Sequence, residues 1–308
     1  MKHFISLHHF SATQLNGLIK LSLDMKKNRK KYLTALKDRH VGICFQKPSL
    51  RTKTAFCIGA LELGANILYY SPDEIKLGKR EKISDAAQVL SRYLHALVLR
   101  TFGHEDVLEF AKYADVPIVN GLSDKYHPSQ ALADVMTINE HLGDLKNLKI
   151  AYIGDGNNVC NSLMHAFALM GGNLFVATPK GYEPDKKVFD ETMSLPGVKG
   201  TITLLSDARE AVKDADVLYT DVWTSMGQED EAKQRRKIFQ SYQINDELLE
   251  LADKKAIVMH CLPAHRGEEI TDSVMDGSHS VVFDQAENRL HTAKAILFTV
   301  MKNIIQEL

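Results

Sequence analysis

The chain has 308 residues, 44% hydrophobic and 25% charged, which is the composition of a soluble globular protein with room for two domains of ordinary size. Its 38 basic and 39 acidic residues leave a net charge of −1, so no global field recruits nucleic acid or a membrane surface, and any anion handling is local. No apolar run approaches the roughly 18 residues that span a bilayer. Cys44, Cys57, Cys160 and Cys261 show neither paired metal spacing nor secreted-scaffold density, and the first ten residues have no signal or transit character, so the expected compartment is the cytoplasm.

In chain order, the basic cluster Lys26, Lys27, Arg29, Lys30 and Lys31 has two readings, a nucleic-acid patch or a solvated helix face. Its place between helical-looking segments favours the second. Short apolar runs then recur at 41–45, 67–70, 96–99, 117–119, 149–153, 174–177, 217–219, 256–259 and 281–283. Between them lie amphipathic stretches such as 52–63, with Phe56, Ala60 and Leu63 at helical spacing. The alternation predicts the α/β class, with parallel sheets covered by helices. A long helix from near Ser129 to Gly143 precedes a fresh strand and predicts a domain boundary there, and 292–308 reads as a terminal helix. In such sheets ligands gather beyond the carboxyl ends of the strands.

The segment after the first strand holds Lys47, Ser49, Leu50, Arg51, Thr52, Lys53 and Thr54. Ser49 is expected to cap a helix with Arg51 and Lys53 in its first turn, where cations oppose the helix dipole unless an anion binds. The alternative is a capped helix with basic surface residues. Arg100 follows the third strand and reads either as a solvated charge or, since it lies at the same sheet edge as Arg51, as a second cation for that anion. In His127-Pro128-Ser129-Gln130, Pro128 suits the first helical position, with His127 extended just outside it; His127 reads as a plain cap or as a donor to a carbonyl.

Gly154-Asp155-Gly156 invites a dinucleotide reading, but Val159 occupies the third glycine position and the next strand ends without an acidic residue. Asn157 and Asn158 instead offer neutral amides to a small polar ligand. Asp221, Trp223, Ser225, Met226 and Gly227 share one loop, and the charged stretch 228–237 beyond it reads as a mobile cover for an amino-acid-like ligand. In His260-Cys261-Leu262-Pro263, no zinc spacing is present, and neighbours on a strand point to opposite sides, against a Cys–His dyad. Arg289 is a further cation beyond the 281–283 strand.

Taken together, the ordered motifs SxRTxT, HPxQ, DxWxSMG, HCLP and ENR, spanning residues 49 to 289, resemble the aspartate/ornithine carbamoyltransferase family. That resemblance implies two doubly wound parallel-sheet domains joined by interdomain helices. Residues 1–143 would bind carbamoyl phosphate, with the 292–308 helix packing back onto them, and 144–291 would bind ornithine. It implies a homotrimer or assembly of trimers. Ser49, Leu50, Arg51, Thr52, Lys53, Thr54 and Arg100 would hold carbamoyl phosphate, with His127, Gln130, Cys261, Leu262 and Arg289 around its carbamoyl group. The catalytic set would be Arg51, His127, Gln130, Cys261 and Arg289. The Leu262 carbonyl would be presented by a cis bond to Pro263.

The second-substrate loop is similar to the ornithine type, with Asp221 meeting the α-amino group, Asn158, Ser225 and Met226 on the carboxylate side, and Cys261 near the attacking amine. The expected reaction is carbamoyl transfer from carbamoyl phosphate to the δ-amine of ornithine, with no metal or organic cofactor. The rivals are transfer to another amine, a non-catalytic binding protein on the same fold and, more distantly, a nucleotide-binding oxidoreductase. Two positions depart from the family pattern. Lys53 stands where Arg is common, a point charge for a fork-shaped donor. Lys76 stands where Gln is usual, as a phosphate contact reaching a neighbouring subunit or as a plain loop lysine.

Overall fold

The computed structural model describes residues 2–72, 74, 78, 81–224 and 229–308. The strands are β1 His40–Phe45, β2 Asn66–Tyr70, β3 Ala96–Arg100, β4 Ile118–Leu122, β5 Lys149–Ile153, β6 Asn173–Ala177, β7 Thr201–Leu205, β8 Val217–Thr220 and β9 Ile257–His260. The helices are α1 Ala12–Lys27, α2 Arg51–Glu62, α3 Ile83–Tyr93, α4 His104–Tyr113, α5 Pro128–Leu142, α6 Asn158–Met170, α7 Lys186–Met193, α8 Ala208–Val212, α9 Ala232–Phe239, α10 Asp246–Leu249, α11 Asp272–Met275 and α12 Val282–Lys302.

The chain forms two compact units, residues 1–136 with 287–308, and 137–286. It passes from the first to the second within α5 and returns within α12. The first unit holds a parallel sheet in the order β2-β1-β3-β4, the second a parallel sheet in the order β7-β6-β5-β8-β9. In each, the chain winds outward in one direction and then the other. Right-handed crossovers therefore put helices on both faces. The order reverses between β1 and β3 and again between β5 and β8, which are the crevices where an open α/β sheet takes ligands.

Local chemistry explains the elements. The central strands β1, β3 and β8 are buried along nearly their whole length, and parallel strands covered on both faces need such continuous apolar runs. In the first unit Cys44, Leu97, Leu99 and Ile118 pack with Ile83, Val107 and Phe110 from α3 and α4. In the second, Ile153, Leu218 and Val258 pack with Val212, Phe239 and Val282. Helix α1 opens with a capping box in which Ser11 accepts from Gln14 N and Gln14 Oε1 accepts from Ser11 N. The basic cluster is the end of α1 and a following turn, largely solvent-facing, with Lys31 on Asp24 at 2.7 Å and Lys26 on Asn288 at 2.9 Å.

Two expectations about elements are corrected. Residues 281–283 are not a strand; α12 begins at Val282 and runs unbroken to Lys302, so it also contains Arg289. The chain meets β9 through the bridge of Ser280 to Val258, and α12 then follows with the acidic Asp284 in its first turn and the helix formers Gln285, Ala286 and Glu287 behind it. An apolar run of three residues cannot distinguish strand from helix. The second correction is β7, an additional edge strand paired to β6, whose side chains are only partly buried.

Candidate active site

The first crevice is built by the ends of β1 and β3 and by the starts of α2 and α5. Helix α2 begins at Arg51, and its cap position is Leu50, which makes no side-chain cap bond. Ser49 therefore lies one residue upstream of the capping position, and the expectation that it caps α2 is corrected. The first turn has no acidic residue, and a helix start of this kind, with Arg51 in it, favours an anion. Leu50 and Thr54 are exposed, Arg51 and Lys53 half-buried, and Thr52 is buried. The Lys53 ammonium sits over the Tyr69 ring, 3.3 Å from its centroid, an engagement of its charge that a sequence does not reveal.

Thr52 joins a buried chain of hydrogen bonds. Arg289 Nη2 donates to Thr52 Oγ1 at 3.0 Å, Arg289 Nη1 donates to Gln130 Oε1, and Gln130 Nε2 donates to Asp134 Oδ1 at 2.8 Å. Arg100 is 5% exposed, and its Nε has no hydrogen-bond partner among the described residues. Burial first, then the charges of Arg289 and Arg51, push its guanidinium down to about 10. Three cations thus crowd one crevice, and a buried charge in such company calls for a bound anion. His127 stands immediately before α5, and its carbonyl accepts from Gln130 N and Ala131 N. Burial, with Arg289 and Arg100, drives its imidazole well below the usual histidine range. His127 is therefore neutral at physiological pH and suited to donate a hydrogen bond, not to carry charge.

The second crevice lies beyond β5 and β8. Asn157 caps α6, accepting from Val159 N at 2.9 Å and Cys160 N at 3.2 Å, while its Nδ2 donates to Asp221 Oδ2 at 2.7 Å. Asp221 Oδ1 accepts from the Cys261 thiol at 2.8 Å and from Val222 N at 2.8 Å. Asp221, Asn157 and Cys261 are therefore one cluster, and Asn158 is the first residue of α6, next to it in sequence. Ser225 and Met226, and Lys76 in the first unit, lie outside the described residues.

The glycine loop has a packing origin. Gly154 adopts φ 143°, a region closed to other residues, and a Cβ on Gly156 would sit 2.3 Å from Pro184 N. Gly156→Ala is expected to destabilise the protein by about 1–3 kcal/mol or more through backbone displacement, read as a lower thermal midpoint. An unchanged midpoint contradicts this account of the loop.

The stretch 229–237 is helical where a loop is expected. A turn at Glu229–Glu231 leads into α9, where Arg235 is buried and donates to Asp155 at 3.1 Å, Glu231 at 3.0 Å and the Trp223 carbonyl at 2.8 Å. Its guanidinium also faces the Tyr182 ring at 4.8 Å. Asp155 is raised to about 6, by burial more than Arg235 offsets. Trp223 is core, stacked on Phe239.

After β9, His260 and Cys261 take different partners. Leu262 N donates to His260 Nδ1 at 2.9 Å, so the ring proton is on Nε2, which donates to the buried Glu269 at 3.0 Å. Leu262 has φ 58°, uncommon for a branched residue, and its bond to Pro263 is cis. Possible ligand atoms of Asp221, His260 and Cys261 lie within 4.8 Å of one another, as do those of His265, Glu268 and Glu269. In the first group the thiol proton and both imidazole nitrogens are already committed to the bonds above, and in the second Glu268 is paired with Arg236 at 2.8 Å.

Asp134, Arg235 and Glu269 escape a reading of the sequence. Asp134 follows Gln130 at i+4 on a helix, which is a usable signal. Arg235 has a local partner in Glu231, but Asp155, which it meets in the interior, lies 80 residues away, and Glu269 turns back onto His260 and His265 N through a loop with no regular period.

The chain belongs to the aspartate/ornithine carbamoyltransferase family: the carbamoyl-P binding domain model matches residues 2–140 and the Asp/Orn binding domain model matches 146–300. Among curated relatives, an ornithine carbamoyltransferase of Methanocaldococcus jannaschii is 50% identical, over 96% of this chain and 97% of that protein. One of Archaeoglobus fulgidus is 48% identical, over 98% of each. The solved ornithine carbamoyltransferase from Pyrococcus furiosus superposes with a TM-score of 0.94 at 47% identity, over 98% of both chains.

Proposed function

We propose that the protein transfers the carbamoyl group of carbamoyl phosphate to the δ-amine of L-ornithine, giving L-citrulline and phosphate. The observation that carries this reading is the buried Arg100 beside Arg51 and Arg289, a cationic cluster at the β1/β3 switch point that a phosphate dianion neutralises. The second crevice supplies a carboxylate, Asp221, for an α-ammonium group. Family membership, with relatives named for ornithine near 50% identity, supports the same choice.

In this mechanism the first unit binds carbamoyl phosphate through the 49–54 segment and Arg100. Gln130 and Arg289 hold the carbamoyl group, and Arg51, Thr54 and neutral His127 stabilise charge that develops on its oxygen. The second unit binds ornithine through Asp221, Asn158, Ser225 and Met226, with Cys261 near the attacking amine and the Leu262 carbonyl beside the carbamoyl amide. The neutral amine attacks the carbamoyl carbon, the C–O bond to phosphate breaks, and the amine's proton leaves with the phosphate as hydrogen phosphate. Support for a homotrimer, with Lys76 reaching a neighbouring subunit's phosphate, comes from the family resemblance. Among the described residues no helix is long and apolar enough to cross a membrane.

Phosphate release from carbamoyl phosphate is expected to depend on added ornithine; equal release without it contradicts the proposal. The pH profile follows from two groups. With a lysine-like pKa of about 10.4, roughly one amine in 2,500 is neutral at pH 7. His127, held well below 6.5, does not titrate in the neutral range. Turnover at saturating substrates is therefore expected to rise from pH 6 to 9 without a histidine inflection, and a flat profile contradicts this.

A further inference from the structure

Asp134 takes no part in the chemistry above, yet it is fully buried on α5, one turn beyond Gln130. Its Oδ1 accepts from Gln130 Nε2 at 2.8 Å, and Gln130 Oε1 accepts from Arg289, which in turn donates to Thr52. All four side chains are buried, so water is a poor substitute for any of these bonds.

The two ends of a glutamine amide have nearly the same shape, and only their hydrogen bonds decide which faces where. Arg289 has donors alone and takes the carbonyl end, while Asp134 Oδ1 accepts from the N–H end, so together they hold one orientation. An anion beside Arg51, Arg100 and Arg289 works against that orientation: it attracts the N–H end of the amide and repels the carbonyl. Arg289 then has a competing acceptor in the anion itself. Asp134 is the group that still holds the N–H end back when the crevice is filled.

We infer that Asp134 is a positioning residue that fixes the amide of Gln130 in the orientation the carbamoyl group requires. This rests on the reading of Gln130 as a carbamoyl contact. Gln130 meets the carbamoyl end of the ligand, while inorganic phosphate reports on the arginine and α2 contacts alone. Loss of the Asp134 bond therefore weakens carbamoyl phosphate and spares phosphate.

The test compares equilibrium binding of inorganic phosphate and of carbamoyl phosphate to the full-length wild type, Asp134→Ala and Asp134→Asn. In Asp134→Ala the carbamoyl phosphate dissociation constant is expected to rise about tenfold, as for one lost buried hydrogen bond. The phosphate constant and the KM for ornithine stay unchanged. Asp134→Asn keeps an acceptor but adds a donor that admits the turned amide, so its carbamoyl phosphate constant falls between those of the wild type and Asp134→Ala while its phosphate constant matches the wild type. Should Asp134→Ala not fold, Asp134→Ser, whose hydroxyl is too short to reach Gln130, gives the same comparison. Equal weakening of phosphate and carbamoyl phosphate, or no weakening of carbamoyl phosphate, overturns the inference. Wild-type protein that binds both ligands equally overturns the underlying reading of Gln130 instead.

Discussion

Arg100→Met is expected to lower kcat/KM for carbamoyl phosphate roughly a thousandfold, the scale of removing one partner from a buried charge pair, while leaving the ligand-free protein no less stable. The two halves have one cause. Arg100 is buried beside Arg289 and Arg51, and its Nε has no partner among the described residues. Its guanidinium, at about 10 in the fold, lies below its ordinary 12.5. At neutral pH it is protonated both folded and unfolded, so the cost of burying its charge is present in full. That cost eases only as pH rises through the folded value. Methionine fills the space without the charge, so the ligand-free thermal midpoint should hold or rise. Added phosphate should raise the midpoint of the wild type and not of the variant. A variant with both a lower midpoint and normal carbamoyl phosphate kinetics contradicts this role.

Asp221→Asn is expected to lower kcat/KM for ornithine by about a hundredfold to a thousandfold, as when a buried cation loses its charged partner. The carboxylate already accepts from Asn157, Cys261 and Val222 N, which fix both oxygens. An amide keeps the size, loses the charge and turns a donor towards Asn157 or Cys261. Carbamoyl phosphate should still bind, because its phosphate contacts, Arg51 and Arg100 among them, lie in the first unit. Steady-state kinetics with ornithine varied at saturating carbamoyl phosphate, beside equilibrium binding of carbamoyl phosphate alone, separates the effects. Loss of carbamoyl phosphate binding contradicts the assignment of Asp221 to the second substrate.

How far the fold is legible in sequence depends on burial. β1, β3, β5 and β8 are covered on both faces, so their apolar runs stand out. β7 is an edge strand with exposed Thr201 and Leu204, and its pattern fades into the neighbouring loops. Residues 281–283 mislead because Val281 still bonds to Val258 of β9 while Val282 and Phe283 already open α12.

The site divides in the same way. Arg51, Arg100, His127 and Asp221 follow strands or open helices, positions where topology gives a residue meaning before its partners are known. Arg235 does not. Among Glu229, Asp230, Glu231, Lys233 and Arg236 it reads as one more solvated charge, whereas in the fold it is buried against Asp155 and the Trp223 carbonyl. The charge pattern around it is real, but burial is decided by residues some eighty positions away. The loop at 154–158 is the converse case. Its glycines suggest a nucleotide, but a Cβ on Gly156 would collide with Pro184, and Asn157 is spent on capping α6 and holding Asp221.

The central claim is that this chain carbamoylates ornithine, and the most direct test offers ornithine, putrescine and aspartate in parallel with carbamoyl phosphate and measures the ureido product. Abundant citrulline, with little product from the other two amines, is the predicted result. A preference for putrescine or aspartate would contradict the assignment of Asp221 to an α-ammonium group, and no product from any of the three would contradict the transferase function itself.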